Sequence, residues 1–301
     1  MKNFRLLSLF LVALLSLVLT SCGTTSTVPI TGRQHSLLVD DQQVLSLSTQ
    51  QYSEFMKQSK VSTNKANTEM VKRVGQNIAN AVITYLTNNG YAEDAKTYNW
   101  VFNLVQDASV NAFCMPGGKI VVYEGLLPVT QDETSLAIVV GHEVAHAVAK
   151  HSAERLSNQM KAQYGTQILT SVIAGAGASQ NLQQISQQVF GLGSQIGGAA
   201  YSRKQESEAD HLGLIFAAMA GYDPAKALPF WERMSAASGS AGQASLMSDH
   251  PSDAKRIADI QKWLPEAQQY YVPKKTTTTT KTTSTTKKTT TTKKTTTTKK
   301  K

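Results

Sequence analysis

Two histidines and a glutamate occur within the five-residue stretch His-Glu-Val-Ala-His, residues 142–146. On a helix, His142 and His146 project from the same face one turn apart, so both imidazoles can reach one metal ion. Glu143 lies beside them, where its carboxylate can take a proton from a water molecule at that ion. The spacing therefore predicts half of a catalytic zinc site.

The surrounding sequence is typical of the helix that this geometry needs. We predict a helix over residues 131–158, beginning at a capping-box pattern in Thr130-Gln-Asp-Glu133. An apolar stripe with helical spacing would bury one side of it in the core. The stripe consists of Leu136, Val139, Val140, Ala147 and Val148.

A catalytic zinc site usually takes three protein ligands and keeps one position for water. A second helix, predicted at about 203–220, supplies candidates, because Glu206 and Asp210 are four residues apart and share a face, whereas Glu208 points elsewhere. In this interpretation Glu206 is the third ligand, and Asp210 accepts a hydrogen bond that orients a liganding imidazole. The alternative is an ordinary solvated acidic face, and spacing alone leaves both open.

Beyond these two helices, the chain carries further short motifs in a fixed order. With the two helices they form the series Pro29-Ile-Thr-Gly-Arg33, Asn111-Ala-Phe-Cys-Met-Pro-Gly-Gly118, His142-Glu143-x-x-His146, His151-Ser-Ala-Glu-Arg155, Ser202-Arg203-x-x-Glu206-x-x-Ala209-Asp210 and His250-Pro251 with Arg256-Ile257. The series resembles the gluzincin family of CAAX prenyl endopeptidases, HtpX-type heat-shock peptidases and BepA-type periplasmic proteases. The resemblance runs from about Val28 to Pro265. The signal sequence described below points to the lipoprotein, LoiP-like branch of that family.

The resemblance implies a metallopeptidase site built from specific positions of this chain. One Zn²⁺ per chain would be held by His142, His146 and Glu206. Asp210 would lie behind a liganding imidazole, and Glu143 would act as the general base. Zinc is inferred from the types of ligand, since another divalent ion could occupy such a site.

The resemblance also implies an α+β fold, mainly helical, with a small sheet whose edge strand borders the active site. The stretch 118–123 would be that edge strand and would accept an extended polypeptide by backbone pairing. Gly118, Lys119, Ile120 and Val121 are then expected to contact the substrate. Because backbone pairing reads little side-chain sequence, the implied partners are extended or unfolded protein substrates.

His250 matches a position at which some relatives carry a histidine that can cap the open position of the zinc. The alternatives are a hydrogen bond from His250 to the oxyanion of the reaction, a role that Tyr201 could also fill, or a plain loop histidine. A capped site would make the protein a largely latent, chaperone-like or assembly factor. That interpretation is the rival to an active peptidase.

The remaining reactive side chains receive no catalytic role. His151 lies five residues after His146 and off the ligand face, so it is predicted to be structural. His35 and His211 belong to no cluster. Cys114 precedes a turn and is predicted to pack in the core, with a thiol nucleophile as the alternative.

Hydrophobic spacing and turn residues indicate the other elements. A segment rich in Gly, Ala, Ser and Gln over 164–200 is predicted to form an amphipathic helix and a connection. All elements together predict one metallopeptidase domain over 28–272. The remaining predicted elements are helices near 41–58, 65–86, 224–236 and 251–263 and strands near 99–105 and 119–123.

The N-terminus has the pattern of a targeting signal. Two basic residues precede an apolar run that is short for a membrane span, and the run ends in Leu-Thr-Ser-Cys, which resembles a bacterial lipobox. We predict a lipoprotein signal peptide over 1–21, lipidation at Cys22 and a lipid-anchored tether over 22–27; an ordinary secreted protein is the alternative. Gly23 after the lipobox favours the periplasmic face of the outer membrane.

The formal charge of +9 is concentrated at the ends of the chain. Residues 274–301 hold ten Lys, and the predicted signal holds two more basic residues. Without these twelve charges, the rest of the chain has a net charge of −3. The globular body therefore lacks the basic surface typical of nucleic-acid binding. The Thr/Lys-rich tail, 273–301, is predicted to be disordered, either a spacer or an attachment to an anionic envelope polymer.

The whole pattern predicts a zinc endopeptidase of the bacterial cell envelope that cleaves unfolded or misassembled envelope proteins. A complete ligand set together with Glu143 favours an active enzyme over the latent rival. The quality-control role is implied by the resemblance rather than by any single residue.

Overall fold

A computed structural model describes residues 24–173, 182–183, 185–187, 189, 201–238 and 254–273. The predicted signal peptide, Cys22, His250 and residues 274–301 lie outside these ranges. Within them, the chain has the predicted mainly helical α+β fold with small sheets. None of the helices in this described part is long and apolar enough to cross a membrane.

The described part begins with a two-stranded hairpin. β1 (Thr24–Thr27) pairs antiparallel with β2 (Gln34–Leu37). The connecting turn is closed by a 2.8 Å hydrogen bond from the Val28 amide to the Arg33 carbonyl. The predicted tether, 22–27, is thus a strand from Thr24 onward, because this Thr-rich stretch finds its partner in β2.

Three helices follow, and the first two begin where predicted. They are α1 (Asp41–Gln58), α2 (Lys65–Asn88) and the short α3 (Ala92–Lys96). Asp40 and Asn64 cap α1 and α2, each accepting a hydrogen bond from a backbone amide three residues on. These caps satisfy amides that have no partner inside the helix, which fixes where each helix starts.

A three-stranded sheet has the order β3–β5–β4. Its strands are β3 (Val101–Val105), β4 (Ala112–Met115) and β5 (Lys119–Tyr123). β5 runs parallel to β3 and antiparallel to β4. The strands predicted at 99–105 and 119–123 are confirmed, whereas β4 was not predicted.

The prediction that β5 is an edge strand is wrong. Lys119, Ile120 and Val121 lie in the central strand, with β3 on one side and β4 on the other, and Gly118 lies in the turn before it. Ile120 and Val121 are fully buried, and the Lys119 ammonium donates a hydrogen bond to the Asn99 carbonyl. A run that is apolar on both faces is typical of a covered central strand.

The histidine-bearing helix is α5 (Glu133–Val148), preceded by a single turn, α4 (Leu127–Thr130). Its N-cap is Asp132, whose carboxylate accepts a 2.7 Å hydrogen bond from the Ser135 amide. The predicted capping box starting at Thr130 is therefore wrong by two residues. Aspartate in that position is as good a cap as threonine, so the pattern alone did not separate them.

The prediction of one continuous helix over 131–158 is also wrong. The chain breaks at Lys150, which has a φ of +53°, and continues as α6 (His151–Ile173). The Lys150 ammonium binds Asp41 at 2.8 Å and Asp94 at 2.9 Å. Two carboxylates from distant elements thus hold this residue in a left-handed conformation that a local pattern does not reveal.

The last three helices overlap the three predicted segments, with bounds that differ by up to six residues. α7 (Arg203–Met219) begins with a capping box in which Ser202 and Gln205 exchange hydrogen bonds. α8 (Ala227–Ser238) follows, and α9 (Ala254–Gln269) extends past its predicted end.

The two helices that carry the candidate site are in backbone contact. A Cβ atom on Gly213 of α7 would lie 2.6 Å from the backbone nitrogen of His142, and one on Gly141 of α5 would lie 2.6 Å from the Gly213 carbonyl oxygen. Since no side chain fits between them, the helices approach as closely as their main chains allow. This contact brings His142 next to Glu206 and Asp210.

Candidate metal centre and active site

Three buried donors converge where α5 meets α7. The Nε2 atoms of His142 and His146 are 3.0 Å apart. The Glu206 carboxylate lies 3.5 Å from His142 Nε2 through Oε2 and 3.4 Å from His146 Nε2 through Oε1. The three residues are 3%, 1% and 4% exposed. The sequence therefore placed these three side chains together correctly.

These separations fit a zinc ion. Tetrahedral zinc with ligands at about 2.0–2.1 Å holds its donor atoms about 3.3 Å from one another. The three distances of 3.0, 3.4 and 3.5 Å lie close to that value. Two imidazoles and one carboxylate are also a donor set that catalytic zinc accepts. The cluster could therefore hold one such ion.

His142 is held from behind by a carboxylate. Its Nδ1 lies 2.9 Å from Asp210 Oδ1, which fixes the ring so that Nε2 faces the other two donors. Burial would lower the pKa of His142, but hydrogen bonds with Asp210 and Glu206 raise it to about 9. The negative charge around His142 thus favours a cation at this position, whether a proton or a metal ion.

Arg256 completes the surroundings of Asp210. It is buried, its Nη2 donates a 2.6 Å hydrogen bond to Asp210 Oδ1, and its guanidinium lies 3.5 Å from the Trp231 ring centroid. Nη1 is 3.8 Å from Glu206 Oε2. Arg256 therefore partly balances the charge of two carboxylates and fixes the Asp210 side chain.

His146 is held from behind by a second histidine. Its Nδ1 lies 2.9 Å from Nδ1 of His151, and the other ring nitrogen of His151 lies 3.0 Å from Glu208 Oε2. Burial, together with the neighbouring His142 and His151, lowers the pKa of His146, so its imidazole is neutral and suited to binding a metal. His151 is absent from the metal cluster, as predicted.

Glu208 points away from the three donors, as predicted, but it is buried and both of its carboxylate oxygens accept hydrogen bonds. Its Oε1 accepts a 2.6 Å hydrogen bond from Thr31, and its Oε2 accepts hydrogen bonds from Arg33 Nε at 2.7 Å and from His151. Burial would raise the pKa of Glu208, but these hydrogen bonds lower it to about 2. Glu208 is therefore a carboxylate in the folded protein.

Tyr201 covers one face of His146. The two ring centroids are 3.9 Å apart, and the rings are nearly parallel. The Tyr201 hydroxyl lies 3.0 Å from the Ser152 hydroxyl, and the Arg155 guanidinium lies 4.5 Å from the tyrosine ring centroid. These contacts fix the ring of Tyr201, while its role toward an oxyanion stays a prediction.

Glu143 directly follows His142 on α5 and is 2% exposed. Burial raises the pKa values of both Cys114 and Tyr201, and the negative charge of Glu143 adds to both increases. For Cys114 the main cause is complete burial, so its thiol stays protonated. This agrees with the packing role predicted for Cys114 and not with a thiol nucleophile.

The remaining histidines lie away from the metal cluster. His35 is buried, with Nδ1 3.7 Å from Glu154 Oε2. His211 contacts Glu266 at 2.7 Å on the outer side of α7. Neither is among the three converging donors, as expected. His250 lies outside the described residues, so its predicted capping or oxyanion role stays a prediction.

The sequence interpretation missed the contacts behind His146. The stretches 29–33 and 151–155 stand out as motifs in the sequence, but their pattern indicates no role for Thr31 or Arg33 and no partner for His151, which it predicts to be structural. Burial of Glu208, which only the structure reveals, is what requires basic or donor partners for this carboxylate. Which partners it finds depends on the packing of three separate chain segments.

Comparison with known proteins agrees with this geometry. The sequence model of Peptidase family M48 matches residues 65–264. Mitochondrial metalloendopeptidase OMA1 of Schizosaccharomyces pombe is 42% identical over 171 residues, covering 56% of this chain and 48% of that protein. Human OMA1 is 30% identical over 245 residues, covering 79% and 46%. Metalloprotease LoiP of Escherichia coli is 30% identical over 224 residues, covering 74% and 81%.

The chain spans about half the length of these two OMA1 proteins and most of the length of LoiP. The matched residues, 65–264, include all three converging donors and the glutamate that follows His142. Family match and site geometry therefore agree on the same residues. The predicted gluzincin resemblance is confirmed: the chain belongs to peptidase family M48.

Proposed function

We propose that this chain is a zinc-dependent endopeptidase of the bacterial cell envelope that cleaves unfolded or misassembled envelope proteins. The observation that carries the proposal is the convergence of His142, His146 and Glu206 with Glu143 buried on the same helix. The names of its relatives, metalloendopeptidase and metalloprotease, support the reaction class.

In this proposal His142, His146 and Glu206 hold one zinc ion per chain. Zinc, when bound, supplies Lewis-acid chemistry toward water and the peptide carbonyl. Asp210 keeps the proton of His142 on Nδ1, so that Nε2 presents its lone pair to the ion. Arg256 fixes Asp210 in turn and is a positioning residue.

Glu143 is the proposed general base and acid. Its carboxylate accepts a proton from the attacking water and delivers it to the amine of the departing peptide. Because Glu143 is buried in the site, its carboxylate is weakly solvated and ready to accept that proton. Tyr201 and His250 are the candidates for a hydrogen bond to the oxyanion.

We assign the substrate-binding edge to β4 in place of β5. Within the described residues, β4 pairs on one side only, with β5, and it packs against the histidine-bearing α5. An extended polypeptide added along Ala112–Met115 would run past the site. A cavity beside His146, lined in part by Tyr98 and Pro116, is suited to a substrate side chain. Backbone pairing of this kind would favour unfolded chains as substrates.

The proposed location is the periplasmic face of the outer membrane. Removal of residues 1–21 and lipidation of Cys22 would anchor the chain to that membrane. The similarity to a bacterial metalloprotease, LoiP, over most of its length supports an envelope location. The ten lysines of the tail could add attraction to an anionic envelope polymer, although a plain spacer is sufficient.

The test is metal analysis combined with casein cleavage by the purified protein. We expect one zinc per chain in both the parent and Glu143→Gln, with cleavage lost by at least about 100-fold in the variant because proton transfer is removed. Glu69→Gln, an exposed glutamate on α2, is the matched control and should behave as the parent. Cleavage at the parental rate by Glu143→Gln would contradict the proposed mechanism.

A further inference from the structure

We propose that the N-terminal turn between β1 and β2 is a positioning element of the metal site. It acts on the ligand His146 through Glu208 and His151, and the proposal rests on metal binding at the site described above. The turn precedes residues 65–264, so the family match does not include it. Its side chains are nevertheless linked to a proposed ligand through only two intervening residues, Glu208 and His151.

The turn supplies two donors to one carboxylate. Thr31 Oγ1 lies 2.6 Å from Glu208 Oε1, and Arg33 Nε lies 2.7 Å from Glu208 Oε2. The two terminal nitrogens of Arg33 bind both oxygens of Glu154 on α6, at 2.9 and 3.0 Å. Arg33 is thus held by two carboxylates from different helices, and it cannot move without breaking three hydrogen bonds.

The positions of the protons follow from the ligand. If His146 binds the metal through Nε2, its proton is on Nδ1, and the nearest acceptor is Nδ1 of His151 at 2.9 Å. His151 can accept there only if its own proton is on Nε2. That proton then points at Glu208 Oε2, 3.0 Å away. Each step fixes the next, so Glu208 selects the tautomer that leaves His146 Nε2 free for the metal.

The two liganding histidines are thereby oriented by different means. His142 donates directly to Asp210, as ligating histidines commonly do. His146 reaches its carboxylate, Glu208, through the intervening ring of His151. That ring is fully buried, and Glu208 is 8% exposed, so neither contact competes with bulk water.

The turn itself is firmly attached to the domain. Val28 is 1% exposed in the main core, and its amide and carbonyl close the turn with Arg33 and Gly32. Past β2, the Leu38 amide donates to the Ser157 hydroxyl of α6 at 2.9 Å. The donors on Thr31 and Arg33 are therefore presented from a fixed backbone, as a positioning role requires.

The experiment measures zinc affinity by chelator competition on the full chain. Disturbing a contact behind a liganding histidine typically lowers metal affinity 10–100-fold, and we expect about that loss in His151→Phe and Glu208→Gln and a smaller loss in Arg33→Gln. Arg73→Gln is the matched control, since Arg73 also binds a glutamate, Glu133, through two nitrogens but on the exposed side of α5. It should keep the parental affinity.

A second measurement separates positioning from stability. In the zinc-loaded parent, ¹⁵N-labelled histidine spectra should show His146 with its proton on Nδ1 and His151 with its proton on Nε2. Glu208→Gln should broaden or shift both signals, while Arg73→Gln leaves them unchanged. Arg33→Lys, which restores one donor to Glu208, should recover part of the affinity lost in Arg33→Gln.

The outcomes distinguish this proposal from the proposed function. Parental zinc affinity in folded His151→Phe or Glu208→Gln, together with normal cleavage, would overturn the positioning role alone. If His151→Phe does not fold, Glu208→Gln decides, because glutamine retains the size of the glutamate it replaces. A parent that binds no zinc would overturn both proposals.

Discussion

Replacing Gly213 with alanine should push α7 away from α5 and weaken the metal site. The added Cβ atom would lie 2.6 Å from the His142 nitrogen, whereas ordinary van der Waals contact begins at 3.4 Å. The obstacle is backbone and cannot rotate away, so the helices must move apart by about 0.8 Å at this point.

A displacement of that size exceeds what the site tolerates. Asp210 lies one turn before Gly213, and its 2.9 Å contact with His142 would stretch to about 3.7 Å, beyond hydrogen-bonding range. We expect zinc affinity to fall roughly 10–100-fold and kcat by about 100-fold. Overpacking costs about 1–3 kcal/mol of unfolding free energy, of which the better helix propensity of alanine offsets about 1 kcal/mol.

Zinc affinity, urea unfolding and casein cleavage should be measured on the same preparations. Gly75→Ala is the matched control, because its added Cβ would meet the ring of Phe102 on β3 in place of the α5 backbone. That control should lose stability and keep its zinc affinity. A folded Gly213→Ala protein whose zinc affinity is within about twofold of the parental value would contradict this explanation.

Two further predictions concern single carboxylates. Asp210→Asn should lower zinc affinity about 10–100-fold by chelator competition, because a liganding imidazole loses its ionic acceptor. Asp259→Asn should not, because Asp259 pairs only with Lys255 and Lys262 of its own helix α9. Burial would raise the pKa of Glu154, but contacts with His35 and Arg33 lower it well below its ordinary value. The stability that Glu154 contributes is then present above pH 4.5 and lost as the pH falls below it. The difference in urea unfolding between parent and Glu154→Gln should be clear at pH 6 and shrink steadily as the pH falls from 4.5 toward 2. An equal difference at pH 6 and pH 2 would contradict the assignment.

The pair of histidines could be predicted from local spacing, whereas the choice of Glu206 as third ligand needed the family resemblance, because spacing alone left a solvated acidic face as the alternative. His142 and His146 share a helix face by spacing alone, and the capped start of α7 places Glu206 and Asp210 on one face of that helix. Helical periodicity also set Glu208 correctly on a different face. The contact of Gly141 with Gly213 brings the two helices together. Neither helix carries a local sequence pattern that predicts this contact.

The errors arose where a distant segment decides the outcome. The sequence predicts β5 as an edge strand because it gives no sign of β4, the four-residue strand that pairs with the other side of β5. The break at Lys150 depends on carboxylates from α1 and α3. Both the pairing of β5 and the break at Lys150 are decided by tertiary contacts, which local sequence propensity does not report.

The start of β1 at Thr24 limits how freely the enzyme could move on a membrane. A lipid on Cys22, as proposed, would be joined to an ordered strand by about 7 Å of extended chain. So short a connection allows neither wide swinging nor reach into the periplasm. Protein substrates would then have to reach the membrane surface, because the anchored domain would stay at a nearly constant distance from it.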